Sequence, residues 1–138
     1  MGVKMKIITE LKVRPYECDS YNHVNNAVYL NYLETARMDY LEKIGFDYDG
    51  IVKAGYYLYV THVDISYKFS ALMHEELKIE TWPKKLGAAS GVMHQIIKKP
   101  DGSVSAEADV TWACVNKDAK LSKIPESFIV DGLKPDEA

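Results

Sequence analysis

The sequence predicts an α+β domain in which one long helix lies against one face of an antiparallel sheet. Three observations carry that expectation. Apolar residues recur at three- and four-residue spacing through Tyr29, Leu33, Ala36, Tyr40 and Ile44. The segments after that stripe alternate with period two and are separated by turn residues. The chain has 138 residues, which is one domain's worth, able to bury one core but not two.

The elements follow in order. Lys4 to Arg14 reads as a first strand with Ile7, Leu11 and Val13 as apolar anchors, closed by Pro15. Glu17 to Asn26 is polar and turn-rich, a loop leading into the helix, with Asn25 or Asn26 as its N-cap. Tyr32 and Leu41 widen the helical stripe, and Gly45 stands where a left-handed C′ residue belongs. Tyr57, Tyr59, Thr61, Val63, Ile65, Tyr67 and Phe69 then form one face of a long strand. Leu77 to Trp82 forms the next strand, which Pro83 is expected to end. Gly91 to Lys99 and Val104 to Asn116 flank a Pro100-Asp101-Gly102-Ser103 turn, a hairpin signal. Ser122 onward reads as loop, with 126–138 a C-terminal tail of a single domain spanning 1–138.

Composition excludes several classes. Hydrophobic residues make up 47% and charged residues 27%, which rules out a disordered or low-complexity chain. The net charge of -3 leaves no basic footprint for nucleic acid. No apolar run approaches the roughly 20 residues that span a bilayer. Two cysteines, Cys18 and Cys114, are too few for a disulfide scaffold, so a cytoplasmic location is expected. His23, His62, His74 and His94 lack metal-ligand spacing, so no metal site is expected. There is no nucleophile elbow and no phosphate-binding glycine loop. Ten tyrosines against three phenylalanines suit half-buried surfaces such as pocket walls and subunit contacts, or ordinary core positions.

The loop from Asp19 to Asn26 carries the chemistry. It places a carboxylate, an imidazole and amides immediately before a long helix. First-turn N–H groups of a helix are unpaired and sit at the positive end of its dipole. They can stabilise the oxyanion formed when a carbonyl is attacked. Asp19 can attack that carbonyl or hold the attacking water. The simpler reading, that Asp19 and the asparagines only cap the loop and helix, stays open on composition alone. Lys84-Lys85 and Lys98-Lys99 are either solvated strand ends or contacts for a substrate's phosphates.

The run from Val13 to Arg37, with Asp19, the step Asn22-His23-Val24-Asn25-Asn26 and the helix Tyr29-Leu30-Asn31-Tyr32-Leu33-Glu34-Thr35-Ala36-Arg37, resembles the hotdog-fold acyl-CoA thioesterases. The branch is the 4-hydroxybenzoyl-CoA thioesterase-like, YbgC-type family. Val63 to Tyr67, Leu77 to Thr81 and Lys123-Ile124-Pro125 extend the resemblance along the chain. It implies an antiparallel sheet wrapped around one long central helix, with active sites between subunits of a homodimer or homotetramer. It implies hydrolysis of an acyl-CoA to a free acid and CoA, with no cofactor beyond the substrate's own CoA. Asp19 takes the place of the catalytic carboxylate, as nucleophile or as general base. The backbone amide of Asn26 takes that of the oxyanion contact, with His23 in support and Asn25 as a loop amide. Tyr57, Tyr59 and Tyr67 are candidate pocket walls, and Lys84 and Lys85 candidate CoA contacts. Bulky walls of that kind would favour short or aromatic acyl groups.

Two positions depart from the family pattern. Asn22 replaces the usual glycine before the histidine, and asparagine is the next-best residue for positive φ. Cys18 replaces a frequent threonine before the aspartate and removes a hydroxyl from the site. Cys18 as the nucleophile would need a base to lower its pKa, and only His23 is near in sequence. Three other functions compete: hydrolysis of acyl groups carried on acyl carrier protein, a hotdog hydratase or dehydratase, and a non-catalytic module that binds acyl thioesters.

Overall fold

The computed structural model describes residues 6–136. Five strands form one antiparallel sheet: β1 (Ile7–Lys12), β2 (Tyr57–Tyr67), β3 (Glu76–Leu86), β4 (Ser90–Lys98) and β5 (Val104–Val115). Their spatial order is β1-β3-β4-β5-β2. The long helix α1 (Asn26–Lys43) crosses one face, and a short helix α2 (Tyr48–Lys53) follows it. This is the expected hotdog arrangement. No helix among the described residues is long and apolar enough to cross a membrane.

Helix α1 forms where its sequence says it should. Asn25 is its N-cap, with the side-chain oxygen accepting from the Ala27 amide at 3.0 Å. Gly45, at φ 79°, lets the chain leave the last turn. Tyr29, Tyr32, Leu33, Ala36 and Tyr40 make its buried face. Each large side chain so buried contributes about 1.5–3 kcal/mol. The helix packs against β1 and β3, so it leans toward one side of the sheet. One half of the core joins Tyr29, Leu33 and Ala36 to Leu77, Ile79, Ile97 and Val110. The other joins Tyr40 to Met93, Trp112, Cys114, Ile124 and Leu133.

Three elements depart from the sequence reading. Strand β2 does not keep period two throughout, because its register to β5 shifts between Val60 and His62. The bulge puts Leu58 and Val60, opposite Cys114 and Trp112, on the face of Val63, Ile65 and Tyr67. Tyr57 and Tyr59 thereby fall on the other face from Tyr67, and stack on each other with ring centroids 6.2 Å apart. Pro83 does not end β3, which runs on to Leu86 with a bulge between Pro83 and Lys85. A bulge tolerates the N–H that proline lacks. The segment after Ser122, read as loop, forms two 3-10 turns and buries Ile124, Gly132 and Leu133. Tyr40 reaches it, donating its hydroxyl to the Gly132 carbonyl at 2.7 Å.

Candidate active site

The loop before α1 is zipped into one body by backbone hydrogen bonds. The Asp19 amide donates to the His23 carbonyl at 2.8 Å, and the Asn25 amide to the Glu17 carbonyl at 2.9 Å. The Val24 amide donates to the Ala71 carbonyl at 2.9 Å, tying the loop to the segment after β2. Asn22 stands at φ 67°, the left-handed geometry its replacement of glycine requires. Below the loop, the buried Glu17 carboxylate accepts from the Arg14 amide at 2.8 Å and from the Tyr32 hydroxyl at 2.9 Å. Burial and then this bond to Glu17 push the Tyr32 phenol far up. The Glu17–Tyr32 clamp joins loop to helix and was not foreseen from sequence, where the two residues show no special spacing.

Asp19 is held by its own loop. Its Oδ1 accepts from the Tyr21 amide at 2.9 Å and the His23 amide at 3.2 Å. Its Oδ2 has no hydrogen-bond partner among the described residues and faces an exposed surface. His23 therefore orients Asp19 through its backbone, and its imidazole makes no hydrogen bond to that carboxylate.

The helix start is equally specific. Asn25 takes the Ala27 amide with its side chain and the Val28 amide, at 2.9 Å, with its carbonyl. The Asn26 amide takes no partner among the described residues. Of the first helical amides, Asn26 is thus the one left to an incoming oxygen, at the positive end of α1. The Tyr67 hydroxyl donates to the Asn26 carbonyl at 3.2 Å, and its ring meets Tyr29 edge-on at 5.2 Å. Cys18 is not set up as a thiolate: burial, Asp19 and Glu17 all push its thiol up.

The structure gathers Asp19, His23, Asn25, Asn26 and Tyr67 at one end of the sheet. The other sequence candidates lie elsewhere in the chain. Tyr59 borders a cavity of about 440 Å³ between α1 and the first half of β2, walled by Leu41, Leu58, Met93, Trp112 and Leu133. Tyr57 lies beside Tyr59 at the start of that strand. Lys84 and Lys85 lie toward the far end of β3, around the level of Val92 and Thr111. Lys84 is ion-paired with Asp109 at 2.6 Å, which raises its ammonium pKa through that hydrogen bond. Asp109 in turn meets His94, whose other ring nitrogen meets Glu107.

Comparison with known proteins agrees with this arrangement. The chain is 36% identical over 109 residues to the long-chain acyl-CoA thioesterase FadM of Escherichia coli, covering 78% of this chain and 82% of that one. It is 30% identical over 135 residues to a chloroplastic acyl-acyl carrier protein thioesterase of Arabidopsis thaliana, covering 94% and 70%. The solved structure of the probable thioesterase YbaW from Escherichia coli superposes with a TM-score of 0.77 at 34% identity, covering 88% of this chain and 92% of that one. Residues 13–130 match the family described as the thioesterase-like superfamily, and with a hotdog sheet wrapped on α1 the chain belongs to that superfamily.

Proposed function

We propose that the protein hydrolyses acyl-CoA thioesters to a free carboxylic acid and CoA, with Asp19 as the reacting carboxylate and the Asn26 amide as the oxyanion donor. The observation that carries the reading is the division of labour at the helix start. Asn25 occupies the Ala27 and Val28 amides and leaves that of Asn26 without a partner among the described residues, while the adjoining loop presents one oxygen of Asp19. The thioester carbonyl accepts from Asn26 as its carbon is attacked, and charge building on that oxygen meets the helix dipole. Asp19 either attacks the carbon itself, expelling the CoA thiolate to leave an anhydride that water opens, or takes a proton from the attacking water. Neither route calls for a metal or redox cofactor. The unpaired cysteines fit a reducing, cytoplasmic setting.

The working unit of this reading is a dimer. Strand β2 is a sheet edge 11 residues long, and edges of that length are paired or protected in stable proteins. Antiparallel pairing of two β2 strands about their midpoints sets the Tyr67 end of one copy beside the Tyr57 end of the other. The cavity bordered by Tyr59 and Val60 then adjoins the second copy's Asp19 and Asn26, and the acyl group lies in it. A volume of this size suits a ligand of drug-like dimensions.

Asp19→Asn is the sharp test, because asparagine keeps the Oδ1 acceptor that the Tyr21 and His23 amides need. We expect kcat on acyl-CoA to fall roughly 10²–10⁴-fold at unchanged melting temperature. Wild-type turnover by that variant would remove Asp19 from the mechanism. Single turnover in ¹⁸O-water tests the nucleophile route, since label in Asp19 requires an anhydride that water opens at the aspartyl carbon, whereas a general base never acquires it. Trapping the anhydride with hydroxylamine reports the same intermediate when water opens it at the acyl carbon. The resemblance to an acyl carrier protein thioesterase supports a second reading, in which the carrier is that protein. A higher kcat/KM for the same acyl chain on carrier protein than on CoA would favour it.

A further inference from the structure

The 440 Å³ cavity runs inward from the β2 edge of the sheet and has a closed end. Met38 of α1 and Tyr59 and Val60 of β2 line its outer part, at 41%, 50% and 48% exposure, and Arg37 and Leu41 line it along the helix. Trp112 stands opposite Val60 on β5, one strand further in, and its ring lies over Gly91 of β4. Met93 of β4 also lines the cavity. The last wall is Leu133, from the 3-10 turn Asp131–Leu133, and that turn packs against β3. Trp112, Met93 and Leu133 are 7%, 4% and 2% exposed, so exposure falls steadily from the edge to the tail.

The turn that carries Leu133 is fastened to α1 in two ways. The fully buried Tyr40 donates its hydroxyl to the Gly132 carbonyl at 2.7 Å, and Tyr40 itself does not line the cavity. Gly132 lies so close to the end of the helix that a Cβ there would be 2.5 Å from Cβ and Cγ2 of Ile44. A close-packed wall of this kind does not stretch to fit a guest. Methylenes entering from the β2 edge are buried against apolar walls until they reach Leu133. One more would have to displace a packed turn.

We propose that Leu133 is the stop for the acyl chain, so that the C-terminal turn sets the longest straight acyl group the protein accepts. The inference rests on the thioesterase reading for its substrate, but concerns chain length and not the reacting carboxylate. Leu133 is a specificity residue in it, touching the far end of the acyl group. Tyr40 is a positioning residue, which acts on Leu133 through Gly132.

The test is kcat/KM over straight saturated acyl-CoAs of stepwise increasing length, with each variant assayed below its melting transition. Wild type should gain with length and then lose about 10-fold or more per step beyond its limit. Leu133→Ala removes about three carbons of wall and should move that limit to longer chains. Leu133→Phe should move it to shorter ones. Tyr40→Phe leaves every lining side chain in place and should blunt the fall, because the turn is no longer fastened. A wild type without a limit would overturn the proposal, as would a limit that stays put in both Leu133 variants. So would a loss of activity equal at all lengths, the behaviour of a residue that only packs the core. An unchanged profile in Tyr40→Phe would remove Tyr40 from the device. If Leu133→Ala does not fold, Leu133→Phe decides. If no acyl-CoA is hydrolysed, the catalytic reading fails on its own. Dissociation constants of non-hydrolysable acyl-CoA thioethers of the same lengths then decide whether Leu133 sets the limit.

Discussion

Asn22 shows how one residue sets the site. Its φ of 67° turns the loop so that the His23 amide reaches Asp19. Asn22→Gly should leave both melting temperature and kcat near wild type. Asn22→Val should lower stability by about 1–2 kcal/mol and reduce kcat through a displaced Asp19. Equal behaviour of the two variants in thermal melts would show that the turn carries no strain. Beneath the loop, Tyr32→Phe removes a hydrogen bond to a buried carboxylate and should cost about 1.5–3 kcal/mol in urea unfolding. Glu80 carries a pH effect. Burial would raise its carboxyl, but the lysines at 2.7 Å (Lys98) and 3.3 Å (Lys6) outweigh burial and hold it below the usual range. Its folded-state pKa is depressed, so its contribution is present above the unfolded carboxyl pKa and is lost as pH falls through the folded value. Glu80→Gln should therefore be less stable than wild type near pH 7, with the difference closing in acid. A constant difference across a pH series of melts would disprove the linkage.

At the scale of elements, close approach matters more than propensity. Helix α1 was legible because its stripe and caps are local. The short α2 was not, although Asp47 caps it by accepting from the Gly50 amide at 3.0 Å. Six residues are too few to show a helical period. The β2 bulge was equally hidden: nothing in the run Tyr57 to Phe69 marks Thr61 as the residue that breaks the alternation. Gly91 illustrates contact between strands. A Cβ there would lie 2.5 Å from the Trp112 ring and 3.0 Å from the Lys85 carbonyl. Gly91→Ala should therefore lower stability by about 1–3 kcal/mol and disturb the cavity wall that Trp112 forms. The tail is part of the core, so Leu133→Ala should cost about 2–5 kcal/mol. A melting temperature unaffected by that change would mean the last 3-10 turn does not pack as described.

At the scale of the whole molecule, the two halves of the proposed site lie at opposite ends of β2. Asn26 and Tyr67 mark one end, and the cavity with Arg37 the other. Along α1 alone, Asn26 and Arg37 are separated by about 16 Å. An isologous pairing of β2 edges brings each half to its complement in the second copy. Mixing two inactive variants tests it. Asp19→Asn lacks the carboxylate, and Val60→Trp blocks the cavity mouth. In a mixed dimer one site unites the intact Asp19 of one chain with the intact cavity of the other. Re-equilibrated mixtures should regain roughly a quarter of wild-type activity, and recovery of none would place the whole site within one chain.

The long helix, its caps, the antiparallel strands and the loop holding Asp19, His23, Asn25 and Asn26 were all legible in the order of residues along the chain. All of these rest on neighbours a few residues apart, where hydrogen-bonding and periodicity rules act directly. Tertiary structure alone decided that Glu17 clamps Tyr32, that Tyr67 meets the helix start while Tyr57 and Tyr59 do not, and that Arg37 lines an apolar cavity. Those facts depend on a bulge, on strand register and on a helix leaning toward β1 and β3. Packing between residues distant in sequence sets each of them, and such packing leaves no local period to read.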